Sequence, residues 1–429
     1  MKRRASSPAL RGFTLLELVV ASSLSLIVLA AALWSAAELQ RRGTFEESLM
    51  EAQNTLRAVR EMLVVELQRA GMGVGSARMV FGRQGAAADD VRYAINVSPE
   101  ERFDGTGAFP ADPTFAPPTG SYADRISDVL QVWSWDSEAM NGTNPIGMVP
   151  LTLCTHAANA SDLYRSGNEL CASTVPVGLR DRLVMVVKPE TRIACVMRVT
   201  AVNQDASAPY ARIVVSPGIT EGLASNNNPC KSLAAGQRPN DGTQDYWGAD
   251  RSGGFILLMR GSAFRVNWKT GTPVLERRDI SSVVNPAPAA QWVTLSHDVE
   301  MIRLRLGVME DLKLPKSPVL WFPNAAPLRP HLEQCTGTAC DLLVPGGWTA
   351  DPSNPSNAPT ARDALMSRVR MVQVQVITRT ARLDSSLIRK DASGEYLRDA
   401  DNHPQDGYKR RSSTLEIMPR NFALAGVLQ

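Results

Sequence analysis

Glu17 is the one carboxylate in the apolar run from residue 13 to residue 37, and it raises the clearest chemical question in the sequence. A charge in hydrocarbon costs on the order of 2.5–3.5 kcal/mol on insertion scales, so it needs a partner that neutralises it. The other reactive side chains are sparse. His156, His297, His331 and His403 are the only histidines, and none stands in a Ser-His-Asp or HExxH arrangement. No Gly-rich phosphate loop follows a strand, so nothing in the sequence points to an enzyme. Six cysteines (Cys154, Cys171, Cys195, Cys230, Cys335 and Cys340) suggest disulfides in an oxidising compartment. They allow fifteen pairings, of which Cys335–Cys340, in "CTGTAC", is the favoured local loop. A zinc reading of His331, Cys335 and Cys340 has three ligands and lacks a fourth. No metal and no cofactor is expected.

Three further clusters have two readings each. "KDASGEYLRDADNHPQDG" gathers Asp391, Asp399, Asp401, Asn402 and Asp406. It reads as a calcium loop or as a solvated hairpin loop, and the spacing fails the EF-hand pattern. Arg303 and Arg305, with Arg368 and Arg370, form either a basic strip for an acidic partner or a solvated outer sheet face. Trp133 and Trp135 are packing residues or an aromatic interface anchor.

The elements that carry these residues divide the chain sharply. With 429 residues, 44% hydrophobic and 21% charged, it has ample material for a core. Formal net charge is +3, and Lys2, Arg3, Arg4 and Arg11 precede the apolar run; without these four the balance is −1. A near-neutral remainder argues against nucleic-acid binding. The charge-free stretch from Leu18 to Ala37 is too long for the core of a cleavable secretory signal and matches the ~20 residues that span a bilayer. A plain anchor explains neither Glu17 nor the abrupt start after Gly12.

"RGFTLLELVVA" explains both, because it resembles the processing motif of type IV pilins and pseudopilins: a basic leader, Gly12, Phe13, and Glu17 four residues on. The resemblance implies that prepilin peptidase cuts between Gly12 and Phe13 and methylates the new Phe13 amine. It also implies that Glu17 pairs with the amino terminus of a neighbouring subunit and sets its register. The leader basics suit the cytoplasmic side.

No proline interrupts residues 13–71, and Phe45, Leu49, Ala52, Leu56, Val59, Leu63 and Ala70 form one apolar stripe. A helical spine of roughly 85–90 Å follows at 1.5 Å per residue, ended by "AGMGVG". Trp34 stands where major pilins often carry a proline. Beyond the spine, short strands alternate with long polar connections at 99–123, 141–178, 217–254 and 313–362. The expected fold is α+β, a type IV pilin fold: leader 1–12, filament-core half of the spine 13–42, amphipathic half 43–71, and β-rich head 72–429 with insertions. Expected strands include "SDVLQVWSW", a hairpin of "DRLVMVVK" and "ACVMRVTAV", then "ARIVVS". A second hairpin in "SAFRVNWKTGTPVLERRDI" has Phe264, Val266 and Trp268 alternating with Arg265, Asn267 and Lys269. "VEMIRLRLGV" turns Ile302, Leu304, Leu306 and Val308 inward. A parity change between Met371 and Val372 indicates a bulge or a strand covered on both faces. "TLEIMPRNFAL" reads as a terminal edge strand.

The order of these phrases is loosely similar to PilW-type minor pilins. That resemblance implies a non-enzymatic subunit that primes pilus assembly and sits in the tip complex. Its partners would be prepilin peptidase, other minor pilins and the major pilin, a PilY-type tip adhesin and the inner-membrane assembly platform. It implies a single-pass inner-membrane protein, anchored through residues 13–42 with a periplasmic head, and a cell-surface pilus after assembly. Two alternatives remain: a type II secretion pseudopilin of the J type, and a membrane-tethered sensor or adhesin that is never assembled.

Overall fold

The computed structural model describes residues 14–76, 78–81, 90–99, 114–136, 148–152, 169–175, 178–187, 193–204, 210–217, 254–269, 271–281, 292–310, 318–325, 328–332, 335 and 361–425. Its first element, α1 (Leu15–Arg69), is one unbroken helix of 55 residues. From Leu15 to Leu39 its large apolar side chains are exposed, and by length and composition the helix can cross a membrane. The second half buries Ser48, Ala52, Val59, Leu63 and Leu67. That is the expected stripe, extended by Ser48 and Leu67. The helix stops at Gly71, Gly73 and Gly75, all with positive φ. At Gly71 a Cβ would lie 2.6 Å from the Gly75 carbonyl oxygen, so the tight turn excludes any side chain there.

The head is built from two sheets. The larger contains β1 (Arg78–Phe81), β2 (Asp90–Arg92), β3 (Ile95–Pro99), β4 (Asp128–Trp135), β5 (Met148–Pro150) and β6 (Glu169–Ala172). It continues through β7 (Leu183–Val187), β8 (Ile193–Gln204), β9 (Ala211–Pro217), β10 (Phe255–Asn267), β11 (Val274–Asp279) and β12 (Trp292–His297). Its main path runs β12-β11-β10-β7-β8-β1-β2, with β4 and β5 also on β10, β3 on β4, β9 on β8 and β6 on β9. The β1–β8 pairing is parallel; the others described are antiparallel. The second sheet is antiparallel, ordered β14 (Val319–Phe322), β13 (Val299–Met309), β15 (Val369–Arg379), β16 (Arg410–Ile417). Short helices α2 (Ala361–Ser367) and α3 (Arg420–Ala425) flank β15 and follow β16.

Alternation explains the packing of the smaller sheet. Ile302, Leu304, Leu306 and Val308 join Val372, Val374, Val376, Leu415 and Ile417 in one core with Val59, Leu63 and Leu67 of α1. The helix is also tied by polar contacts. Glu66 pairs with Arg277 at 3.1 Å, Thr378 Oγ1 donates to the Ala52 carbonyl at 3.3 Å, and Lys409 Nζ lies 4.0 Å from the Phe45 ring centroid. A second core, around Val184, Val186, Met197, Ile213 and Ile256, fills the far part of the larger sheet. Where β4 pairs with β10, Gly261 lies opposite Trp133, and a Cβ there would stand 2.6 Å from the Trp133 ring and from Ile280 Cγ1.

Both hairpins form as expected. The parity change in β15 is a bulge: Gly307 faces Met371 but Val308 faces Val369, so Arg370 is left over. The polar side of the second hairpin is covered as well, with Arg265 and Asn267 0% and 2% exposed. Thr114 and the Ala116 amide cover that side by hydrogen bonds, and Arg265 pairs with Glu276 at 2.7 Å. Three expectations need correction. The terminal strand is shorter than expected, since the chain turns helical at Arg420 after Pro419. The connections at 141–178 and 313–362 contain β5, β6 and β14, short strands held by neighbours, and the first two residues of α2. The basic strip does not form. Arg368 is buried with its Nη1 on the Glu310 carbonyl at 2.6 Å, and Arg370 donates to the carbonyls of Ser367 and Val369.

Candidate functional site

The site with the clearest chemistry lies at the start of α1. Thr14 is the N-cap and Glu17 the third helical residue, so the two close a capping box. The Thr14 amide and hydroxyl both donate to Glu17 Oε2 at 3.0 Å, and the Glu17 amide donates to Thr14 Oγ1 at 3.3 Å. The carboxylate is thereby folded back over Thr14, at the positive end of the helix dipole. Gly12 and Phe13 lie outside the described residues. Trp34 is exposed on the same apolar half.

The remaining candidates separate. Cys335 is buried and is not a free thiol, while Cys340 lies outside the described residues. Cys171 is likewise buried and not free. His331 turns toward Asp128, with Nε2 3.5 Å from Oδ1. Trp133 is core, 1% exposed, and Trp135 packs beside it. In the acidic loop, Asp391 Oδ1 accepts from the amides of Ser393 and Glu395, and Asp399 Oδ1 from those of Asp401 and His403. Those carboxylates shape turns.

Asp406, from the same loop, is instead buried in a charged lock. Arg410 grips Glu300 through two bonds of 2.8 and 2.7 Å and Asp406 through two of 2.9 and 2.6 Å. A bulge between Val299 and Met301 sets Glu300 apart in the β13 ladder. Tyr122 donates its hydroxyl to Asp406 at 2.8 Å. Burial alone would raise the Asp406 pKa, yet the Arg410 guanidinium and the Tyr122 hydroxyl hold it below the usual range. Burial and the Asp406 carboxylate push the Tyr122 phenol well up. Arg398 adds bonds to the Ser121 carbonyl and Asp124. Together these bonds clamp residues 389–408 onto residues 121–125.

Sequence reasoning missed a second feature, the junction of the sheets. Ser127 Oγ accepts the Ile302 amide at 2.9 Å and donates to its carbonyl at 3.1 Å. Asp128 Oδ2 accepts the Leu304 amide at 2.6 Å. Two side chains at the head of β4 thus stand in for a strand on the open stretch of β13. Burial pushes the Asp128 carboxyl up to about 7, against the Leu304 hydrogen bond and nearby Arg303, which lower it. Only "SD" at the start of the strand phrase hinted at this.

No family model matches the chain, and no curated protein matches it. Among solved structures it is similar to "Type IV-like pilin TTHA1219 from Thermus thermophilus", at 8% identity over 86% of this chain and 98% of that one, with a TM-score of 0.26. At that score the likeness carries no argument, and the functional reading rests on α1 and its Glu17.

Proposed function

We infer that the chain is a pilin-type filament subunit whose role is structural and not enzymatic. The observation that carries this is the division of α1: an exposed apolar half bearing one carboxylate at its start, then a half buried in a stripe under the head. An anchor needs only the first half. A subunit that packs helix to helix in a filament needs both, and it needs a use for Glu17.

In this reading residues 1–12 are removed by prepilin peptidase between Gly12 and Phe13, and Phe13 is methylated on its new amine. Residues 13–42 hold the precursor in the inner membrane with the head in the periplasm. Glu17 exchanges part of its Thr14 bonding for the Phe13 ammonium of a neighbour. Each buried ion then has a partner, which is the condition for tolerating it in an apolar filament centre. The order of the head strands favours a PilW-type minor pilin that primes assembly near the tip, alongside other pilins, a PilY-type adhesin and the assembly platform. A Cys335–Cys340 bridge in the periplasm belongs to the same proposal. The J-type pseudopilin remains the second reading, supported by the same leader and spine.

The test is incorporation. Glu17→Ala should leave processing intact and lower the protein in sheared filaments at least tenfold relative to the membrane pool. Full incorporation of the variant would overturn the reading.

A further inference from the structure

The outer face of the smaller sheet, opposite α1, carries a cleft of about 700 Å³ between β13 and residues 323–325, 328, 329 and 331. Three guanidiniums line it: Arg303, Arg305 and Arg329. Arg305 donates to the Pro323 carbonyl at 3.0 Å, Gln373 Oε1 at 3.2 Å and Asn324 Oδ1 at 3.0 Å. Arg329 reaches the Trp321 carbonyl at 3.5 Å and lies over the Phe322 ring. All these partners are neutral, so they orient the guanidiniums and leave their charge uncompensated. Arg303 is exposed and makes no ion pair among the described residues; it only senses Asp128 through space. Among the described residues Asp128 is the single carboxylate lining the cleft, and it is already engaged by the Leu304 amide.

Three guanidiniums facing one engaged carboxylate leave an excess of fixed positive charge in a concave, partly desolvated site, where charge-assisted bonds to a carboxylate are strongest. The cleft is also more than a point site. A neighbouring hollow of about 400 Å³ shares Arg303 and Gln375 with it and extends the trough along the sheet; Asp124 and Asp401 stand there beside Arg125, so the excess positive charge sits at the Arg303, Arg305 and Arg329 end. Gln375 and Thr414 offer amide and hydroxyl groups along the floor, Gln373 being engaged by Arg305 and Glu416, and Leu328 stands 88% exposed at the rim. A free small acid would use the guanidiniums alone. A trough with a polar floor and an apolar rim fits an extended chain. We propose that this trough binds an acidic peptide segment of a partner protein, its carboxylates held by Arg303, Arg305 and Arg329.

The experiment uses the full chain in detergent micelles and a fluorescein-labelled octa-glutamate peptide, read by anisotropy at low and high salt. Saturable binding is expected, weakened at least fivefold by Arg303→Gln, an exposed position with no bond to lose, and weakened again at high salt. Octa-lysine should not bind. Circular dichroism confirms that the variant keeps its fold. Equal binding of octa-lysine, an Arg303→Gln variant of unchanged affinity, or complete competition by citrate at matched carboxylate concentration would each overturn the proposal.

Discussion

Glu17 Oε2 accepts both the amide and the hydroxyl of Thr14 at 3.0 Å, so this carboxylate has a partner before any filament exists. The capping box fixes where the helix begins and holds the negative charge at the Thr14 amide. A neighbour's ammonium would then meet a preoriented acceptor, and assembly would trade a neutral donor for a charged one. Thr14→Val should therefore weaken incorporation less than Glu17→Ala does. Losing such a cap costs about 0.5–2 kcal/mol of helix stability, while Glu17 itself is still present. Comparing the two variants in sheared filaments checks the order.

The contact of α1 with the head should dominate stability. Leu63 is fully buried in the stripe, and Leu63→Ala is expected to cost about 2–5 kcal/mol. Trp34→Ala, on the exposed half, should leave the denaturation midpoint of the micelle-held protein within about 0.5 kcal/mol of the parent. Urea titration followed by tryptophan fluorescence distinguishes them.

Breaking the Glu300–Arg410 pair should unfasten the clamped loop. Both side chains are nearly inaccessible, and removing one partner of a buried pair costs roughly 3–5 kcal/mol. Glu300→Gln is expected to speed amide exchange in residues 389–408 more than in β7 and β8. Uniform acceleration across the head would contradict a local clamp.

Asp128 makes the junction pH-dependent. Its folded pKa, about 7, lies above the unfolded value of 3.8. Between those values the folded state holds the extra proton, so this group's contribution to stability is full below about pH 4. It is lost as pH rises toward 7. The rise corresponds to roughly 4 kcal/mol at full effect. Asp128→Asn should flatten that part of the stability profile between pH 4 and 8. A variant with the parent's slope would place the titration elsewhere.

Much of this was legible in the sequence, for physical reasons that also mark where reading stops. The stripe from Phe45 to Ala70 needs only helical periodicity, and alternation places Ile302, Leu304, Leu306 and Val308 without reference to neighbours. Glu17 stood out because a charge in an apolar run has few explanations. The cover over Arg265 comes from Thr114, about 150 residues away, and alternation cannot report such a lid. β5, β6 and β14 are strands only because an existing edge accepts them. The cleft was hidden for a similar reason. Arg303 and Arg305 were visible as a pair, but Arg368 and Arg370 turned away to carbonyls, and Arg329 came from a connection with no periodicity. The sheet junction depends on Ser127 and Asp128 reaching across to β13, a contact no local pattern encodes.

The most direct measurement is the mass of the amino-terminal peptide of the protein recovered from the membrane and sheared-filament fractions of its native cells. The expected result is a chain beginning at N-methylated Phe13, with residues 1–12 absent. A chain that retains those residues in both fractions, or one cut after the apolar stretch, would contradict the assignment of α1 as a filament spine.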